Sequence, residues 1–67
     1  MNLIEGLQEE MNRVREIITE YDSLPNNAGA FASGMMKFHI KNAENTIAIG
    51  DTIGMMQSYN ALKECEL

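Results

Sequence analysis

NLIEGLQEEMNRVREIITEYD, residues 2–22, decides the fold class. Ile4, Leu7, Met11, Val14, Ile18 and Tyr21 recur at spacings of 3, 4, 3, 4 and 3, the a/d pattern of an amphipathic helix. Such a seam calls for other helices lying nearly parallel or antiparallel to it. Leu3 and Ile17 widen the stripe, so this helix is expected to meet more than one neighbour. Asn2 followed by Glu5 has the spacing of a capping box, which satisfies backbone N–H groups at a helix start. Gly6 lies inside the pattern, where it either permits a close contact or is tolerated near a frayed end. Outside the stripe, Glu9, Glu10, Arg13 and Glu16 read as a solvated face with exposed pairing around Arg13.

Downstream, Pro25 disfavours helical geometry at Leu24 and closes the first helix. Asn26 or Asn27 then reads as the cap of a second helix, whose apolar residues fall in two rows. One row is Phe31, Met35 and Phe38; the other is Met36, Ile40, Ala43 and Ile47. Two rows imply two burial partners. Gly50 with Asp51 is a stop-and-restart signal, glycine suiting the left-handed position after a helix and aspartate the next cap. A third helix carries Met55, Met56, Tyr59, Leu62 and Cys65 inward. The expectation is a single all-α domain over 1–67, with helices at about 2–23, 27–49 and 51–65. The short second turn makes the last two helices an antiparallel hairpin, with the long first helix packed on it. "GMM" occurs at 34–36 and 54–56, too little to be a repeat.

A chain of 67 residues has a small core, and its single Cys65 cannot form an intrachain disulfide. One His39 without a second Cys or His gives no usual zinc pattern, and no cofactor motif is present. Self-association is the expected source of further burial. Ten acids against five bases, a net charge of −5, argue against general nucleic-acid binding and against anionic membrane surfaces. No apolar run approaches a spanning length, and Glu5, Glu9 and Glu10 interrupt any leader-like run, so a cytoplasmic location is expected. The charge is uneven: residues 1–24 hold six acids and two arginines, whereas 25–50 hold Lys37 and Lys41 against Glu44.

Catalysis finds little support. A nucleophile needs a base beside it, and His39 with Cys65, Ser33 or Ser58 forms no local motif; Cys65 sits between Glu64 and Glu66, which disfavours thiolate. An enzyme is not expected. Adjacent methionines point about 100° apart on a helix, so both members of Met35/Met36 and of Met55/Met56 cannot face one small core. Gly34, Met35, Met36, His39, Met55 and Met56 are therefore candidate interface residues.

PNNAGAFASGMM, residues 25–36, carries no charge and almost no bulk apart from Phe31 and the methionines. Two readings stand. In one, small residues let this end of helix 2 pack closely on helix 1 or on a symmetry mate. In the other, free N–H groups at the helix start form a site for a small anionic, nucleotide-like ligand, with Asn26, Asn27, Gly29, Phe31, Ser33 and Lys37 as its residues.

The layout of a capped acidic helix, the turn LPNNAGAF, the helix reading KNAENTIAIGD and a final helix ending in ALKECE resembles small uncharacterised helical proteins of tailed phages and prophages. The resemblance spans most of the chain and includes no catalytic motif. It implies a compact accessory protein of the kind that blocks or sequesters a component of host defence. The expected function is thus a non-enzymatic, self-associating helical binding protein whose partners are itself and a host protein or small anion. The alternative is an assembly component acting only through protein–protein contacts.

Overall fold

Asn2 caps the first helix as its spacing predicts. In the computed structural model, which describes residues 2–66, its Oδ1 accepts the Glu5 N–H at 2.9 Å and starts α1, Leu3–Asp22. The chain is all-α, with α2 at Ala30–Ile49 and α3 at Thr52–Lys63, and with no strand among the described residues.

The connection between α1 and α2 differs from the expectation. Leu24 is extended, as the residue before proline must be, and Pro25–Asn27 form a single 3-10 turn. Asn26 and Asn27 do not cap α2. Both adopt left-handed backbone, with φ of 59° and 58°, a region that asparagine tolerates better than most residues. Gly29 takes the N-cap position instead, without a side-chain hydrogen bond, and α2 starts three residues later than read. The reason is a close approach: a Cβ on Gly29 would collide with the Tyr21 carbonyl oxygen, so the two helix ends meet backbone to backbone here.

The second connection follows the sequence. Gly50 has φ of 70°, its N–H donates to the Ile47 carbonyl, and the Asp51 N–H donates to Thr46 at 2.9 Å, closing α2. Asp51 Oδ1 then accepts the Gly54 N–H at 3.0 Å and opens α3.

α2 runs antiparallel to α1 and α3, which lie side by side and parallel. Leu3 and Ile4 share a shallow groove with Thr52 and Met55 at their starts, and Arg13 reaches the end of α3. Leu7, Met11, Val14, Ile17 and Ile18 of α1 meet Met36, Ile40 and Ala43 of α2 and Met55 and Leu62 of α3 in one core. Leu3, Tyr21, Ile47, Tyr59 and Cys65 pack at its margin.

Three expectations need correction. Ile4 is exposed, and its neighbour Leu3 packs at the core margin instead. Met56 faces outward rather than inward. The Phe31, Met35, Phe38 row does not find a second burial partner within the chain, because a step of 100° per residue places it nearly opposite the buried Met36, Ile40, Ala43 row. One three-helix core can cover only one of the two. No helix among the described residues is long and apolar enough to cross a membrane.

Candidate functional site

The face that α2 turns away from the core is built from its first two turns. Phe31 is 83% exposed, Phe38 59% and Met35 47%. Gly34 lies among them, and an added Cβ there would meet no described atom within 4 Å. Two rings and a thioether chain thus surround a bare stretch of helix backbone. The Phe38 ring also meets His39 edge-on, with centroids 5.9 Å apart. Isolated exposed apolar residues are ordinary, whereas these three, at i, i+4 and i+7 of one helix, form a single contiguous patch.

The methionine pairs divide as their geometry requires. Met36 and Met55 are 6% and 5% exposed and belong to the chain's own core, so they leave the interface set; Met35 and Met56 remain on the surface. His39 is half-buried. Gly34 is open rather than pressed against α1, and the close packing predicted for the small-residue stretch occurs at Gly29.

Two of the six residues proposed to bind an anion, Ser33 and Lys37, converge on a carboxylate, and it belongs to this chain. Ser33 is buried and donates its hydroxyl to Asp22 Oδ1 at 2.5 Å, while Lys37 Nζ lies 3.1 Å from Asp22 Oδ2. The Ser33 hydroxyl first, and the Lys37 ammonium after it, hold the Asp22 carboxyl below the ordinary carboxylate value. This clasp ties the last turn of α1 to the first turns of α2. Asn26 and Asn27 are exposed, and Gly29 is covered by Tyr21.

Beyond Phe38, His39, Asn42 and Asn45 of α2 and Gln57 and Ser58 of α3 line an open polar groove of about 310 Å³. No trio of His, Cys, Asp or Glu among the described residues is placed to hold a metal ion. Cys65 points its Sγ at the Ala61 carbonyl, and burial pushes its thiol up, with Glu64 adding to the shift and Arg13 opposing it. The acidic neighbours are thus the lesser cause of its suppressed ionisation.

Arg13 is the residue whose role the sequence hid. Read as part of a solvated face, it is half-buried: Nη1 donates to the Cys65 carbonyl at 2.9 Å and Nη2 to that of Leu62 at 2.8 Å. Glu10 holds the guanidinium from behind at 3.1 Å. Arg13 therefore caps the C-terminus of α3, and the Tyr21 hydroxyl donates to the Glu66 carbonyl beyond it.

Comparison with known proteins adds no relative: no family model, curated protein or solved structure matches the chain.

Proposed function

We propose that this chain is a non-enzymatic, self-associating helical binding protein that acts by occupying a protein partner, in keeping with the accessory role that its resemblance to small phage proteins implies. The observation that carries this reading is the outward face of α2, where Phe31, Met35 and Phe38 stand exposed around Gly34. Nothing about folding a single chain favours that arrangement. A fully exposed side chain of this size forgoes about 1.5–3 kcal/mol of burial, and these three forgo about half of that or more, a large share of the stability open to so small a chain.

Support also comes from the polar side chains, which serve the fold. Ser33 and Lys37 hold Asp22, Arg13 holds the end of α3, and Cys65 is half-buried with a raised thiol. An anionic ligand at the start of α2 would have to displace Asp22 from both of its partners. The reading therefore rests on protein contact rather than on anion capture.

Sedimentation velocity across low to high micromolar concentration tests it. The expected result is a mass that rises above the 7.5 kDa of one chain. A single-chain mass throughout would overturn the proposal.

A further inference from the structure

We propose that the α2 face is covered by a second copy of this chain, the two α2 helices crossing antiparallel about a two-fold axis between Gly34 and Met35. This rests on the self-association reading and adds its surface, partner and register. Three observations carry it.

The first is spacing. Phe31 and Phe38 lie equally far, in opposite directions, from the point between Gly34 and Met35. A two-fold axis at that point sets Phe31 against Phe38 of the second copy twice over. It also sets each Met35 over the other copy's Gly34. Isologous interfaces require such self-complementarity, in which residue i meets j and j meets i. The open space at Gly34 is the hole that a methionine knob needs.

The second is charge. Residues 25–36 carry none, and the nearest cation, Lys37, is already paired with Asp22 on the side facing α1. Bringing residues 25–36 of two copies together therefore buries no unpaired charge, and Lys41, exposed one turn beyond Phe38, is left for the rim, although the chains share a net charge of −5. Of the other exposed large apolar side chains, Ile49 and Ile53 at the tip of the hairpin are the most exposed; they flank Asp51 and lack this property.

The third is area. At the fractional exposures given above, Phe31, Met35 and Phe38 present roughly 380 Å² per copy, taking about 200 Å² for a large side chain. Two copies bury roughly 750 Å² from these side chains, and the flanking backbone and small residues extend this toward the roughly 1,200 Å² at which specific interfaces begin.

The test uses three exposed positions that the monomer core does not need. Sedimentation is compared for the unaltered chain and for Phe31→Asp, Phe38→Asp and Ile53→Asp, with helicity checked by circular dichroism. The expected result is a dimer for the unaltered chain and for Ile53→Asp, and single chains of unchanged helicity for both phenylalanine variants. A second measurement fixes the register: a nitroxide on Asn45→Cys, in a Cys65→Ser background, should give a spin–spin separation of about 32 Å along the paired helices at 1.5 Å per residue. A monomeric unaltered chain overturns both this pairing and the reading beneath it. Association that survives Phe31→Asp and Phe38→Asp, or is lost with Ile53→Asp, overturns the pairing alone. A separation near 15 Å, which an axis at Ile40 would give, overturns the register.

Discussion

Replacing Arg13 by methionine should destabilise the bundle far more than replacing Arg15, although both arginines lie on the same helix outside its apolar seam. The Arg13 guanidinium donates to the carbonyls of Cys65 and Leu62 at 2.9 and 2.8 Å and more weakly to Lys63 at 3.4 Å. These are carbonyls at the end of α3, where no next turn of helix supplies a donor. Hydrogen bonds to a charged group contribute about 1.5–3 kcal/mol when enclosed. The Arg13 side chain is 38% exposed, so water recovers part of that, leaving roughly 1–2 kcal/mol for the whole cap. For a domain of this size each kcal/mol moves Tm by about 4–8 °C. Arg13→Met, which keeps the aliphatic stem, should therefore melt about 5–15 °C lower. The exposed Arg15 side chain hydrogen-bonds the Asn12 amide at 2.9 Å and no carbonyl of another helix among the described residues, so Arg15→Met should stay within about 0.5 kcal/mol. Arg13→Lys should recover little, because one ammonium cannot fork to two carbonyls. Thermal unfolding is best measured in the Phe31→Asp background, so that association does not mask the monomer's stability. Equal melting of the Arg13 and Arg15 variants would refute the assignment of Arg13 as the cap of α3.

Gly29→Ala should lower stability by about 1–3 kcal/mol, because its Cβ would collide with the Tyr21 backbone; an unchanged urea midpoint would show that the two helix ends are less closely joined. Gly34→Ala, in the Phe31→Asp background, should instead raise stability by about 0.5–1 kcal/mol, since the position is open and glycine is a poor helix former; a loss would place an unseen neighbour there. The Asp22 clasp makes stability pH-dependent with a definite sign. The folded-state pKa is depressed, so the stabilisation is fully present above the unfolded value of about 3.9 and is lost as pH falls through the folded value. Asp22→Asn should remove that acid-side slope below about pH 4, and parallel pH dependences of melting for the two proteins would contradict it.

What the sequence made legible was the chemistry of neighbours. The Asn2 cap, the Gly50 stop and the Asp51 restart each depend on residues within four positions, and each was found where expected. The features that were missed span the chain. Arg13 meets carbonyls 49 to 52 residues away, and Asp22 meets Ser33 across the α1–α2 turn. The start of α2 depends on Gly29 fitting against Tyr21, which no local pattern encodes. For the two apolar rows of α2, a usable signal was present. The row through Met36, Ile40, Ala43 and Ile47 runs on to the helix end, whereas the Phe31, Met35, Phe38 row gives way to Asn42 and Asn45. A core-facing row must continue as far as its partners do. A short one ending in asparagines fits a local patch.

The most direct test of that patch is an isotope-filtered NOE experiment on a mixture of labelled and unlabelled chains, which records only contacts between different copies. The pairing predicts cross-peaks from the Phe31 ring to the Phe38 ring, and from the Met35 methyl group to the Gly34 α-protons, across the interface. Intermolecular cross-peaks confined to Ile49, Ile53 or Met56, or none at a concentration where the mass is that of a dimer, would contradict it.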